Sequence, residues 1–160
     1  MQALRDAGWT IPEEAAARGL AAAQWPGRLE LARRSPTSSW TAATTPSAWT
    51  PLPPPWRALY PGRKLIFLSG VLADKDWHSM FRRVLPLAKA FVAVTPDSPR
   101  ALPAAELAAW LAQFSIPVSV QETLDQGVDT ALALAGPEDV ICAWGSLYSV
   151  GEIRHHLGLC

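Results

Sequence analysis

Short apolar runs alternate with helical patterns along the chain from Arg63 onward. The runs lie at Leu65–Leu68, Ala90–Thr95 and Asp139–Trp144, and each is followed by a turn and then by a helical pattern. A continuous apolar run is typical of a parallel strand covered on both faces, whereas a strand with one wet face alternates apolar and polar residues. The pattern therefore predicts an α/β fold built on a doubly wound sheet.

Weaker signals predict the other elements. Proline near a first turn, followed by carboxylates, marks a helix start, and glycine marks a helix end. On these signals we expect helices at 1–6, 15–23, 77–87, 102–114, 124–135 and 150–158, and short strands at 29–32 and 116–120.

Polar residues collect where the predicted strands end. Asp74 and Lys75 follow the first apolar run behind Gly70, and Gly145 and Ser146 follow the last one. In open α/β sheets, ligands bind in the crevice beyond the carboxyl ends of the strands. We therefore expect the functional site at this edge of the sheet.

Charge and cysteine content exclude several classes of function. The formal net charge is zero, so the sequence gives no argument for nucleic acid or an anionic membrane as partner. The two cysteines, Cys142 and Cys160, make a disulfide framework or thiolate metal site improbable, and we predict no metal site. Residues 1–24 lack the apolar core of a signal peptide. We expect a cytoplasmic protein.

No phosphate-binding glycine loop, zinc-protease motif or nucleophile elbow is present in the sequence. The W-P-G-R turn ending at Arg28 has two interpretations: an anion ligand on a glycine-backed turn, or a solvated arginine. His78 is a lone histidine on a predicted helix and is interpreted as a surface residue. His155 and His156 are adjacent on a predicted helix and point about 100° apart, which makes them poor joint metal ligands.

Four motifs carry a family resemblance: WPGRLE at 25–30, SGVLADKDW at 69–77, VTPDSPRALPAAEL at 94–107 and CAWGSLYSVGEIR at 142–154. Together they resemble the C-terminal domain of the bifunctional dihydrofolate synthase and folylpolyglutamate synthase, a member of the Mur ligase family. The resemblance implies a three-layer, Rossmann-like domain with a mostly parallel sheet. It also implies a reaction that joins L-glutamate to dihydropteroate or a folate through an acyl phosphate, with ATP and Mg²⁺.

The resemblance also suggests roles for single residues. It implies that Arg28 faces the ATP phosphates and that Ser146 helps to hold the incoming glutamate, although the Ser146 hydroxyl has the alternative role of capping the next helix. Asp74, Lys75 and Tyr148 are weaker candidates that line the same cleft. The metal ligands of the intact enzyme are expected outside this chain.

The domain organisation follows from the same resemblance. We expect 1–24 to be trailing helices of a missing central domain or its linker, and 25–160 to be the Mur ligase C-terminal domain. Because the phosphate-binding loop belongs to the missing part, we expect the chain alone to be no ligase. The competing interpretation is an inactive remnant that binds a nucleotide or a partner.

One segment departs from the family pattern. Family members carry a D-G-A-H-N-P loop before the strand at Leu65–Leu68, whereas this chain has TSSWTAATTPSAWTPLPPPW at 37–56. A natural linker, a divergent loop and a segment read in the wrong frame are three explanations. When the gene is read in the frame shifted by one base, the codon that overlaps those of Trp40 and Thr41 can encode only aspartate. The overlaps of the following pairs of codons permit G-G-H-N-P. We favour the frameshift.

The proline content of this segment predicts its structure. The chain has 15 prolines, and each proline removes a backbone donor and fixes φ, at about 3 kcal/mol in a helix interior. We therefore expect 37–56 to be irregular and largely exposed, with one strand–helix unit disrupted. The inner strand position would then be empty or filled by a poor substitute around Ser38–Thr41, which would make the chain prone to aggregation.

Overall fold

The structure is a computed structural model that describes residues 2–23, 28–34, 37–41, 59–146 and 148–159, without the side chains of 28–34, 37–41 and 148. The helices are α1 (Gln2–Asp6), α2 (Glu13–Ala21), α3 (Trp77–Val84), α4 (Ala104–Leu111), α5 (Leu124–Leu134) and α6 (Tyr148–His156). The strands are β1 (Arg28–Arg34), β2 (Thr37–Thr41), β3 (Leu65–Ser69), β4 (Ala88–Ala93), β5 (Val118–Val120) and β6 (Val140–Trp144). Short 3-10 turns follow α3 at Leu85–Leu87 and α4 at Ala112–Phe114.

The strands form one sheet in the order β1-β2-β6-β3-β4-β5. β1 runs antiparallel to β2, and every other neighbouring pair is parallel. The predicted α/β fold with a mostly parallel sheet is therefore confirmed. Because β2, β6, β3, β4 and β5 run the same way, their carboxyl ends lie along one edge of the sheet.

Alternate residues of β3 face two different cores, which makes the domain three-layered. Leu65 and Phe67 pack with α3 and α4 on one face of the sheet. Ile66 and Leu68 pack with α5 and α6 on the other face. Leu65, Ile66, Phe67 and Leu68 are all at most 2% exposed, which explains why this strand carries no polar residue until Ser69.

Polar side chains at the carboxyl edge of the sheet cap the N-terminal ends of three helices. Asp76 caps α3 by accepting a hydrogen bond from the Ser79 amide at 3.2 Å. Thr95 Oγ1 accepts one from the Ala104 amide at 3.0 Å, at the start of α4. Thr123 forms a capping box with Gln126 at the start of α5. Polar side chains of these loops thus accept hydrogen bonds from backbone amides that have no partner within the first turn of a helix.

The expectation of an irregular segment at 37–56 is wrong for Thr37–Thr41. These residues form β2, which pairs with β1 on one side and with β6 on the other, so the inner position is filled. Backbone ladders on both sides supply the hydrogen bonds, no proline lies within 37–41, and Thr and Trp favour strands. Residues 42–56, on which the rest of this prediction falls, lie outside the described residues.

The first two helices contribute no buried side chain. Leu4, Trp9 and Leu20 are 48%, 67% and 76% exposed. The proposed boundary at 24 stays a prediction. In the described part of the chain, every helix is too short or too polar to span a bilayer.

Candidate functional site

Two glycines bring the loops after β3 and β6 together at the carboxyl edge. A Cβ on Gly145 would lie 2.5 Å from the carbonyl oxygen of Gly70, and Gly145 has φ +115. A Cβ on Gly70 would in turn lie 2.8 Å from Cγ of Pro96, in the loop after β4. Only glycine allows this approach, because any side chain would meet backbone or the proline ring. Three strand ends therefore converge at one place.

A pocket opens beside this contact, on the face of the sheet that α5 and α6 cover. Its cavity volume is about 10 Å³, which is room for about one water molecule. The lining is mostly apolar and comes from β3, β6, the loop after β4, and the two helices: Leu68, Gly70, Val94, Leu124, Ala143, Trp144, Ser146, Ser149, Val150 and Ile153. The composition of this lining is typical of a small-molecule site, but its volume is far below that of one.

The polar side chains of the pocket come from the start of α6. Ser146 is 4% exposed and lies two residues before the helix, and Ser149 lies in the first turn of the helix and is 7% exposed. The first turn of a helix presents amides without intrahelical partners and the positive end of the helix dipole. The cavity at this helix start has room for about one water molecule, so a larger ligand would have to lie across its open mouth.

The topology places Arg28 at the same edge. Arg28 begins β1 and pairs with Thr41 at the end of β2, because these strands are antiparallel. Trp40 pairs with Ala143 of β6, so Arg28 lies two strands from the β6 carboxyl end. At the usual strand spacing this is about 10 Å between backbones. The side chains of Arg28 and Tyr148 lie outside the described residues, and their predicted roles stay predictions.

The other two predicted cleft residues lie in the loop after β3. Arg100 Nη1 donates to Asp74 Oδ2 at 2.8 Å, and the Ala73 amide donates to the Arg100 carbonyl at 2.8 Å. Asp74 thus connects this loop to the segment before α4. Neither Asp74 nor Lys75 is among the residues that line the pocket. Their roles in ligand binding stay predictions.

Three acidic residues interact electrostatically around α6. Desolvation raises the pKa of Glu152, and the carboxylates of Asp97 and Asp125 raise it further. Glu152 follows Ser149 by one helical turn, whereas Asp97 comes from the loop after β4 and Asp125 from the first turn of α5. A cation near these groups would relieve their mutual repulsion.

No sequence motif predicted Ser149, Glu152 or Asp97 as residues near the site. Ser149 carries one usable signal, since it lies three residues after Ser146 and falls on the same side of a helix start. Nothing in the sequence indicates that Asp97 and Glu152 interact electrostatically, because this interaction depends on how α6 packs on the sheet. Within the described residues, no group of three His, Cys, Asp or Glu side chains is placed to hold a metal ion.

Residues 27–147 match the family described as "Mur ligase, glutamate ligase domain". This chain belongs to that family. Folylpolyglutamate synthase of Lacticaseibacillus casei is 29% identical over 93% of this chain and 33% of its own length. A probable bifunctional folylpolyglutamate synthase/dihydropteroate synthase of Halobacterium salinarum is 32% identical over 90% of this chain and 18% of its own length. The chain therefore spans a third or less of these curated relatives.

Solved structures show the same fold. Escherichia coli FolC in complex with DHPP and ADP superposes with a TM-score of 0.87 at 25% identity, over 98% of this chain and 37% of that chain. Mycobacterium tuberculosis folylpolyglutamate synthase complexed with ADP gives 0.82 at 30% identity, over 94% of this chain and 36% of that chain. The family and the three-layer fold implied by the sequence motifs are confirmed.

Proposed function

We propose that this chain is the glutamate ligase domain of an ATP-dependent ligase that adds L-glutamate to dihydropteroate or a folate through an acyl phosphate. The observation that carries the proposal is the superposition on Escherichia coli FolC, a protein whose structure holds DHPP and ADP. The four sequence motifs support it independently, because they occur in family order over nearly the whole chain.

Arg28 and Ser146 take separate parts in this proposal. Arg28 faces the ATP phosphates, where a guanidinium offers planar donors that stay charged at every working pH. Ser146, beside the start of α6, holds the glutamate. Arg28 lies two strands from the carboxyl end of β6, or about 10 Å between backbones at the usual strand spacing.

The role of the domain is positioning rather than covalent chemistry. Phosphoryl transfer is catalysed mainly by alignment and charge neutralisation, and attack by the glutamate amine on the acyl phosphate needs the two reactants held in register. Mg²⁺ would neutralise phosphate charge when ATP is bound. We assign no Mg²⁺ ligand to the described residues, because no group of three suitable side chains is present among them.

A second candidate is an inactive remnant that binds a nucleotide or a partner. This candidate predicts saturable nucleotide binding without turnover.

A domain exchange tests the two candidates. The chain replaces the matching third of Lacticaseibacillus casei folylpolyglutamate synthase, and ATP-dependent incorporation of labelled glutamate is measured for the chimera and for the chain alone. We expect turnover by the chimera, little by its Arg28→Ala variant, and none by the chain alone. A folded chimera that binds ADP but adds no glutamate would contradict the ligase proposal and favour the remnant.

A further inference from the structure

The loops after β3 and β4 pair with one another at the carboxyl edge of the sheet. Leu72 and Ala101 form an isolated antiparallel bridge, and next to it the Ala73 amide donates to the Arg100 carbonyl at 2.8 Å. Leu72 and Leu102, one from each loop, are 7% and 3% exposed. Backbone hydrogen bonds and buried side chains therefore hold 71–73 and 100–102 together as a short ribbon.

An exposed ion pair follows the backbone pairs of this ribbon. Arg100 Nη1 donates to Asp74 Oδ2 at 2.8 Å, and the two side chains are 52% and 45% exposed. An ion pair with this exposure adds little to the free energy of unfolding, and the ribbon has its own backbone hydrogen bonds. The pair therefore acts mainly on the distribution of charge at this edge of the sheet.

Three consecutive charged residues of the loop after β3 differ in their partners. Asp74 pairs with Arg100, and Asp76 accepts a hydrogen bond from the Ser79 amide. Lys75 lies between these carboxylates and is half-buried, and its ammonium group has no hydrogen-bond or ion-pair partner among the described residues. Both neighbouring carboxylates are thus engaged elsewhere, and Lys75 is left as the available cation of this loop.

The Asp74 carboxylate would interfere with this cation if Arg100 did not hold it. An unpaired carboxylate would attract the adjacent Lys75 ammonium, and it would repel an anionic ligand that approaches the same loop. Both effects weaken anion binding, and at an exposed position each is small. Arg100 removes both, because its guanidinium neutralises the carboxylate and its hydrogen bond fixes the direction of that group.

We propose that Arg100 is a positioning residue that acts through Asp74: it neutralises and holds that carboxylate, and so keeps Lys75 available to an anionic ligand. The need for a cation at this place rests on the proposed function, whose substrates carry phosphate and carboxylate groups. The lysine ammonium group is a compact point charge that suits either anion. The assignment of Arg100 itself rests on its ion pair with Asp74 and on the partners of the neighbouring charges.

Anion binding is measured on the complete chain by NMR titration of the backbone amides of 70–76. Inorganic pyrophosphate and glutarate are the two probes, and they separate a preference for phosphate from a preference for carboxylate. We expect a saturable shift of the Lys75 amide with at least one of them. Arg100→Gln should raise the Kd of that probe about threefold, which is the size of one surface charge interaction.

Two controls exclude an effect of net charge alone. Arg63→Gln removes the same charge from an ion pair with Glu138 at the opposite edge of the sheet, and it should leave the Kd unchanged. Arg100→Gln combined with Glu138→Gln restores the net charge of the wild type but leaves Asp74 unpaired, so it should bind as weakly as Arg100→Gln. Equal weakening by Arg63→Gln and Arg100→Gln would overturn the proposal.

A double variant separates positioning from direct contact. Arg100→Gln combined with Asp74→Asn leaves no carboxylate to be released, so the Kd should return to the wild-type value. Such rescue would not occur if Arg100 itself contacted the anion or only supported the fold. A double variant that binds as weakly as Arg100→Gln would therefore overturn the role assigned to Arg100.

The outcomes distinguish this inference from the proposed function. Unchanged binding by Arg100→Gln, or no saturable shift at Lys75 with either probe, would overturn the role of Arg100 even if the chimera is an active ligase. Conversely, weaker binding by Arg100→Gln with rescue by Asp74→Asn supports the inference even where the chimera adds no glutamate.

Discussion

Gly145 lies against the backbone of Gly70, so that a methyl group on Gly145 would come within 2.5 Å of the Gly70 carbonyl oxygen. This contact joins the loop after β6 to the loop after β3. Gly145 also has φ +115, a conformation that side chains rarely adopt. The start of α6, and with it the pocket, is therefore held in place by a position that only glycine can occupy.

Gly145→Ala should destabilise the domain by about 3 kcal/mol, because it adds both backbone strain and a steric clash. Urea unfolding measures the change. Gly151→Ala is the matched control, since it lies within α6 and a Cβ there would meet nothing within 4 Å. That control should stabilise by about 0.5 to 1 kcal/mol. Equal stability of the two variants would contradict the proposed constraint.

His156 joins α6 to α5 through two carboxylates. Its Nε2 lies 2.9 Å from Asp129 Oδ1 and its Nδ1 lies 3.1 Å from Asp125 Oδ1. The hydrogen bond to Asp129 is the largest cause that raises the pKa of His156, and the charge of Asp125 adds to it. The folded state therefore binds a proton more tightly than the unfolded state does.

The contribution of His156 to the free energy of unfolding should be fully present below 6.5, the pKa of the residue in the unfolded chain. It should be lost as the pH rises through the higher pKa of His156 in the folded state. Because both carboxylates are mostly exposed, it should be at most about 1 kcal/mol. Urea unfolding of wild type and His156→Gln across this pH range checks it, with His155→Gln as control. A difference that grows with pH would contradict the sign.

Asp139 should give the free energy of unfolding the opposite pH dependence. Its Oδ2 accepts from Lys89 Nζ at 2.5 Å and from the Gly136 amide at 2.9 Å. The Lys89 hydrogen bond and then the Gly136 amide lower the pKa of Asp139. The resulting stability is present above the unfolded pKa of 3.8 and is lost as pH falls through the lower folded pKa.

Asp139→Asn should therefore cost about 1 kcal/mol at neutral pH, and this difference should shrink in acid. Glu138→Gln is the control, because the Glu138 side chain is 90% exposed and pairs only at the surface with Arg63. Acid and neutral urea titrations of the three proteins measure the effect. A constant cost of Asp139→Asn at every pH would mean that charge is not its cause.

The sequence predicted the strands whose side chains are buried on both faces. Val140–Trp144 and Leu65–Ser69 are continuous apolar runs because every side chain on them is buried. β2 was not predicted, because its residues are polar and prolines lie on both sides of it in the sequence. The strand forms because its backbone groups pair with those of β1 and β6, and such pairing leaves no sequence pattern. The partner of Asp74 was missed as well, since Arg100 comes from a distant part of the chain.

The site could be predicted only in part for the same reason. Ser146 was identified from its motif after a strand end, and topology places Arg28 near it at one edge. The position of Ser149 in the pocket depends on how α6 packs on the sheet, and no sequence pattern records that packing. The motifs thus predicted which edge of the sheet carries the site, whereas the residues that line the pocket could be identified only from the folded structure.

β2 occupies an inner position of the sheet with a polar sequence, TSSWT. In register, Ser38 lies beside Ile141 and Ser39 beside Cys142, which are 2% and 0% exposed. Inner strands of parallel sheets are normally apolar, because helices cover both faces. In the frame shifted by one base, the same codons permit V-L-L-D here, which is the pattern that this position favours.

We therefore predict that the gene carries a pair of compensating frame changes, near codons 37 and 56. A chain with the restored frame should be more stable by about 3 to 6 kcal/mol, since burying two leucines stabilises by about 1.5 to 3 kcal/mol each. Sequencing codons 36 to 57 from genomic DNA tests the frame, and soluble yield and thermal unfolding of both chains test the energetics. The present chain should aggregate at lower temperature, because a net stability of about 5 to 15 kcal/mol cannot easily absorb such a loss. Equal, cooperative melting of the two chains would count decisively against the frameshift.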